Sequence, residues 1–178
     1  MKETIFVVGG CRSGKSRYAL ELAKQTGGSN KIFIATCIPR DDEMKHRVEL
    51  HQRHRGPGWT TVEVPIYLGE SIIESSETAD VIIVDCLTLW ISNLLMETDD
   101  QEEITRHIHE LIRGIKGAQC SVVLVSNEVG TGIVPENSLA RLFRDIAGFA
   151  NQDVAACSDR VIWMVAGIPV TIKGIEKK

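Results

Sequence analysis

The sequence contains no apolar run of the roughly 18 residues needed to span a bilayer. Its opening, MKETIFVVGG, reaches glycine too early for a secretory signal, so neither export nor a membrane span is expected. It has no CxxC pair. Its five cysteines, Cys11, Cys37, Cys86, Cys120 and Cys157, are odd in number and widely spaced. That pattern excludes a disulfide framework and a zinc cluster and points to reduced thiols in a cytoplasmic protein. There is no surplus of positive charge: the formal net charge is −4, which speaks against general nucleic-acid binding. Internal repeats, low-complexity tracts and interdomain linkers are also missing. The length, 178 residues, suits one domain, and 43% hydrophobic residues suffice for a core.

What is present is an alternation. Short apolar, β-branched runs predict strands at 4–9, 31–36, 81–85, 121–127 and 160–165, with a short final piece at 170–173 that Gly167 and Pro169 would fold back antiparallel. Helical patterns fill the intervals at about 15–26, 41–54, 68–77, 87–97, 101–117 and 138–156. Continuous apolar strands separated by helices predict an α/β fold, a mostly parallel sheet flanked by helices on both faces. Ligands then belong at the carboxyl ends of the strands.

Directly after the first strand stands GGCRSGKS: Gly9, Gly10, Cys11, Arg12, Ser13, Gly14, Lys15 and Ser16. It fits G-x-x-x-x-G-K-[ST] without a mismatch and runs into a helix. Glycines let backbone N–H groups curl around phosphate oxygens, and the helix N-terminus adds a favourable dipole. Lys15 would reach the β/γ-phosphates and Ser16 would ligate Mg²⁺. The plainer alternative is a glycine-rich turn, which the strand–loop–helix context disfavours. A metal needs a further acidic contact, and Asp85 ends the apolar run VIIVD where such a carboxylate would sit. It could instead cap the next helix. These features predict nucleoside triphosphate binding without saying where a phosphate goes.

The stretch DDEMKHRVELHQRHRGPGW gathers three of the five histidines with several arginines. On a helix, Met44, Val48, His51 and Arg55 share a face, with Arg47 beside it, while His46 and His54 point elsewhere. His51 could be a core histidine, half of a metal pair with His54, or a nucleophile toward phosphorus with arginines clamping the phosphates. The arginines would repel a cation, which sets the metal pair behind the nucleophile. Between nucleophile and core histidine the residues alone do not decide.

Three segments in order, GGCRSGKS, DDEM…RVELH…R…W and SNEVGTGIVPENSLARLFRDIAGFANQ, together resemble the bifunctional adenosylcobinamide kinase / adenosylcobinamide-phosphate guanylyltransferase family of cobalamin biosynthesis. The resemblance covers essentially the whole chain. It implies a P-loop NTPase with RecA-like strand order, homotrimeric assembly, and ATP, GTP and Mg²⁺ as cofactors. The implied substrates are adenosylcobinamide and adenosylcobinamide phosphate, with GMP carried on a histidine. The family pattern R-[IV]-x-x-H falls on Arg47 to His51 and selects His51. By the same resemblance, nucleotide contacts are expected from Gly9 to Ser16, from Ala35, Thr36 and Cys37, from Gln52, Arg53, His54 and Arg55, from Glu63, and from Asp85. Many members carry Glu where this chain has Asp85, one methylene shorter, so its Mg²⁺ contact can run through water. Glu128 and the glycine loop after the fourth predicted strand are candidates for contact with corrinoid or nucleotide, or a plain turn. Arg141, Arg144, Gly148 and Asn151 share a helical face that fits either a substrate wall or a subunit contact. Two rival readings remain at this level: a monofunctional small-molecule kinase with a structural His51, and a nucleotide-switched binding protein.

Overall fold

A computed structural model of the protein describes residues 2–26, 28–39, 42, 46, 55–56 and 58–174. Its centre is a seven-stranded sheet in the spatial order β3-β2-β4-β5-β1-β6-β7. The strands are β1 (Thr4–Gly9), β2 (Lys31–Ala35), β3 (Trp59–Glu63), β4 (Val81–Asp85), β5 (Ser121–Asn127), β6 (Arg160–Val165) and β7 (Ile168–Lys173). The first six run parallel, and β7 turns back antiparallel on β6. The described helices are α1 (Lys15–Gln25), α2 (Leu68–Ser76), α3 (Leu87–Glu97), α4 (Gln101–Gly117) and α5 (Ser138–Cys157).

Period-two alternation divides the strand side chains between two cores. Ile5 and Val7 of β1 face α1 with Val81, Ile83, Val123 and Val125, closing on Ala19, Leu22 and Ala23. Phe6 and Val8 face the other way with Ile82, Val84, Val122 and Leu124, toward Ile72, Trp90, Leu94, Leu111 and Ala147. Both faces of the central strands are therefore covered, which is why their sequences read as unbroken apolar runs. Trp90 is fully buried and satisfies its indole N–H on the Ile66 carbonyl at 2.7 Å.

The predicted strands at 4–9, 81–85, 121–127 and 160–165 are present as expected, and β2 stops one residue early, at Ala35. The final strand does fold back antiparallel, beginning at Ile168. The prediction missed β3. Among the described residues WTTVE pairs with β2 alone, at the sheet edge, and only Trp59 and Val62 are half-buried, so it forms no apolar run. Most of the helix expected over 41–54 lies outside the described residues; Asp42, His46 and Arg55 are helical. Asp100 caps α4 by accepting from the Glu102 N–H at 2.9 Å, and Asn137 caps α5 by accepting from the Ala140 N–H at 3.0 Å.

Helices α2 and α4 meet backbone to backbone at Gly69 and Gly114. A Cβ on Gly114 would lie 2.4 Å from the Gly69 carbonyl oxygen, and one on Gly69 would lie 2.3 Å from that of Glu110. A side chain at either position must push the helices apart. Gly117, three residues on, would place a Cβ no nearer than 3.8 Å to Ile73. Gly114→Ala is expected to destabilise by about 1–3 kcal/mol through overpacking, against its helix propensity. Gly117→Ala is expected to be neutral or to stabilise by up to about 1 kcal/mol. Thermal unfolding of the two variants measures the contrast.

Candidate nucleotide site

The parallel strands end together, and β1 leaves the sheet through Gly9. A Cβ there would sit 2.4 Å from the Met164 carbonyl oxygen of β6, so only glycine lets the chain turn out at this point. The Gly9 carbonyl accepts from the Glu128 N–H at 2.9 Å, tying the loop root to the residue after β5. Arg12 and Gly14 take positive φ, 55° and 94°. Gly14 occupies the cap position of α1. The Gly167 N–H, from the β6–β7 turn, holds the Ser13 carbonyl at 3.0 Å. Sequence and surroundings thus fold residues 9–16 into a loop that leads straight into a helix N-terminus.

The loop rims a cavity of about 570 Å³. Cys11, Arg12, Ser13, Gly14, Lys15 and Ser16 line one side, and Ala35, Cys37, Arg55 and Asp85 line the rest together with Phe33, Cys86, Leu89, Val125 and Asn127. Lys15 is 7% exposed, and its ammonium donates to the Gly10 carbonyl at 2.6 Å and to Ser13 Oγ at 3.4 Å. Burial pushes its pKa down, and the neighbouring Cys86, Asp85 and Cys11 push it back up. Arg55 is buried too. Its guanidinium lies 3.9 Å from the centre of the Phe33 ring and donates to Thr61 Oγ1 at 3.0 Å. Burial lowers its pKa and Asp85 opposes the shift; a guanidinium stays charged regardless. Phe33 is itself braced edge-on by Trp59 at 6.3 Å.

Asp85 Oδ2 is buried with no hydrogen-bond partner among the described residues. It does not cap α3: the cap position belongs to Cys86, and no side chain there accepts a cap bond. Asp85, with its orphaned carboxylate oxygen, and Ser16, with its hydroxyl, line the same cavity, and two hard-oxygen groups suit Mg²⁺. That ion characteristically takes one or two protein ligands and completes its shell with phosphate and water. No cluster of three His, Cys, Asp or Glu exists among the described residues, as such a shared site requires none. Cys86 is no competing nucleophile: burial, with Asp85 second, pushes its thiol up to about 11. All five cysteines are free thiols.

Of the other expected contacts, Thr36 is fully buried and turned inward, and Glu63 is exposed at the carboxyl end of β3, opposite Ala35 in register. His51, Gln52, Arg53 and His54 lie outside the described residues. Asn127 escaped the sequence reading, although it ends SVVLVSN as Asp85 ends VIIVD: one polar residue closing an apolar run at the edge where ligands bind. The glycine loop that follows is pinned. Arg144 donates to the carbonyls of Gly130 and Ile133, Arg141 to those of Pro135 and Glu136, and Glu128 Oε1 accepts from the Gly130 N–H at 2.5 Å. The shared helical face of these arginines therefore works within the chain, as a brace for the loop.

A phosphate loop, a carboxylate at the tip of β4, and a strand (β5) inserted between them in the sheet define a P-loop nucleoside-triphosphate-binding fold of RecA-like order. Solved structures agree at the level of fold. A KaiC-like protein from Pyrococcus horikoshii OT3 superposes with a TM-score of 0.52 at 14% identity, over 90% of this chain and 70% of that one. An ATPase of a bacterial type III secretion system gives 0.55 at 12%, over 95% and 56%. The family model for "Cobinamide kinase / cobinamide phosphate guanyltransferase" matches residues 5–172, and the chain belongs to this family. Its relatives include the "Bifunctional adenosylcobalamin biosynthesis protein CobU" of Escherichia coli K12, 42% identical over 95% of this chain and 99% of that protein. The "Bifunctional adenosylcobalamin biosynthesis protein CobP" of Pseudomonas aeruginosa is 38% identical over 94% and 96%.

Lys15→Ala removes the buried cation of the loop, which its motif position is expected to turn toward phosphate. Losing one such preorganised donor typically costs about 10²–10³ in turnover. Steady-state release of nucleoside diphosphate should fall by that order while the melting temperature stays close to the parent's.

Proposed function

We propose that the protein is a bifunctional transferase that phosphorylates adenosylcobinamide with ATP or GTP and then transfers GMP from GTP to the product, giving adenosylcobinamide-GDP and pyrophosphate. The observation that carries this reading is the convergence of Lys15, Arg55 and Asp85 on one cavity behind a complete phosphate loop, in a chain whose family is described by both activities. In the first reaction the substrate hydroxyl attacks the γ-phosphorus, its proton passes to solvent, and the bond from the γ-phosphorus to the bridging oxygen breaks, leaving nucleoside diphosphate. Lys15 offsets the charge that gathers on the leaving diphosphate. Ser16 and Asp85 would hold Mg²⁺, which when bound neutralises phosphate charge.

In the second reaction His51 is the proposed carrier. A neutral imidazole nitrogen attacks the α-phosphorus of GTP, pyrophosphate departs with the bonding electrons, and a phosphoramidate remains. An oxygen of the substrate phosphate then attacks the same phosphorus and the imidazole leaves. Supporting this role is the helical spacing expected from the sequence, which gives His51 the face of Arg55, four residues on; Arg55 lines the cavity. The guanidinium, braced on Phe33, is suited to stabilising charge on a triphosphate. Homotrimeric assembly belongs to the same reading. The exposed apolar side chains Trp163, Val165, Ile168, Val170 and Ile172 of the β6–β7 hairpin favour self-association.

Incubation with α-labelled GTP tests the histidine. The protein should retain label covalently, with pyrophosphate released, in a bond stable to base and lost in mild acid. His51→Ala should abolish labelling while nucleotide still binds at the phosphate loop, and some kinase activity should survive, since γ-transfer needs no covalent intermediate. His46→Ala and His54→Ala should still label. Normal labelling of His51→Ala, or an adduct mapped to another residue, would overturn the carrier. A chain that phosphorylates adenosylcobinamide but never labels would be the monofunctional kinase.

A further inference from the structure

Thr36, the residue after β2, has every polar atom occupied inside the protein. Its N–H donates to the Asp85 carbonyl at 3.3 Å. Its hydroxyl oxygen accepts from the Cys86 N–H at 2.9 Å and donates to the Cys86 carbonyl at 2.7 Å. Its own carbonyl accepts from the Asn93 side-chain amide at 2.8 Å, and that amide also reaches the Pro65 carbonyl at 3.2 Å. Both Thr36 and Asn93 are buried. Neither lines the nucleotide cavity.

These bonds fall where the sheet can no longer hold its strands. The β2–β4 pairing ends at Ala35 opposite Asp85, and one residue later the chain enters α3. Past the end of the ladder a side-chain hydroxyl takes over: three consecutive backbone groups, the Asp85 carbonyl and the Cys86 N–H and carbonyl, are all fixed by Thr36. Asp85 hangs its carboxylate from the first of these peptides; the residue lines the cavity, and its Oδ2 is buried with no hydrogen-bond partner among the described residues. With no described partner on Oδ2, the hold on the Asp85–Cys86 backbone is what the structure offers to orient that oxygen. Mg²⁺ demands near-ideal octahedral geometry, and ligands must be held to within a fraction of an ångström.

We infer that Thr36 is a positioning residue for Asp85: its hydroxyl clamps the Asp85–Cys86 backbone so that the carboxylate meets the Mg²⁺ of a bound nucleoside triphosphate, and Asn93 latches Thr36 in place. The inference rests on the proposed role of Asp85 as the Mg²⁺-facing carboxylate. It gives Thr36 a task different from the nucleotide contact that family resemblance implied, and it gives Asn93 a task where the sequence suggested none.

The test reads binding of a fluorescent GTP analogue with Mg²⁺ and with EDTA, alongside the ligand-free melting temperature of each variant. Mg²⁺ should tighten binding to the parent protein. Thr36→Val, which keeps the shape and deletes both hydroxyl bonds, should lose about tenfold or more of that enhancement, as loss of an outer-sphere support typically does. Its affinity in EDTA should stay near the parent's. Thr36→Ser keeps the hydroxyl and should keep most of the enhancement. Asn93→Ala should weaken the enhancement several-fold and decides the matter if Thr36→Val does not fold. Asp85→Asn separates the two levels. If it retains the full enhancement, the role of Asp85 is wrong and the clamp falls with it. If it loses the enhancement while folded Thr36→Val or Asn93→Ala keeps it, the clamp alone is wrong. A lowered melting temperature with unchanged Mg²⁺ enhancement would show a purely structural threonine.

Discussion

The parallel register of β1 with β5 and β6 fixes where everything else at the carboxyl edge can be. Val8 lies opposite Ser126 and Trp163, and Gly9 opposite Asn127 and Met164. That register brings the Met164 carbonyl against the point where the phosphate loop begins, which forbids any side chain at Gly9. It also brings the residue after β5 within reach of the Gly9 carbonyl. Slide β6 by one residue and Met164 would leave the core face it shares with Ile162; the loop would lose its floor in the same step. The placing of the loop's root is thus a by-product of how an apolar sheet closes.

Electrostatics then does what the overall charge would not suggest. A chain of net charge −4 presents a cavity whose buried charged side chains include two cations, Lys15 and Arg55. Both lose basicity to burial and regain part of it from Asp85. Asp85 thus offsets part of the charge of the two cations, and the Gly10 carbonyl holds the Lys15 ammonium from within the loop.

The elements that were legible in the sequence are those whose physics is local or repetitive. VIIVD and SVVLVSN read as buried strands because both faces are covered, and GGCRSGKS carries its own loop geometry in its glycines. WTTVE was illegible because an edge strand with one neighbour needs no apolar run, although its β-branched threonines were a faint signal. Asn127 was missed for a different reason. A carboxylate beside a phosphate loop suggests its chemistry, whereas an amide at the same edge is identified only by its neighbours, here Thr88 and Asn151. Thr36 and Asn93 stand 57 positions apart. Nothing in either local sequence announces that one will hold the other. Arg141 and Arg144 were correctly placed on one face, but what that face meets, the carbonyls of the preceding loop, depends on a turn that helical periodicity does not describe.

The strand order also carries a temporal consequence. Thr4 pairs with Val122 and Ile5 with Arg160, so β1 finds its neighbours only long after it has itself been synthesised. By then α1 and the β2–β4 pairing can already exist, because their partners are encoded close by. A nascent chain that has emerged through α4 holds the complete phosphate-loop sequence and the Asp85 strand, yet the strand that belongs between them is still in the ribosome. The nucleotide site is therefore encoded early and assembled late, and its loop-closure cost is met only when β5 inserts and β6 seals the edge.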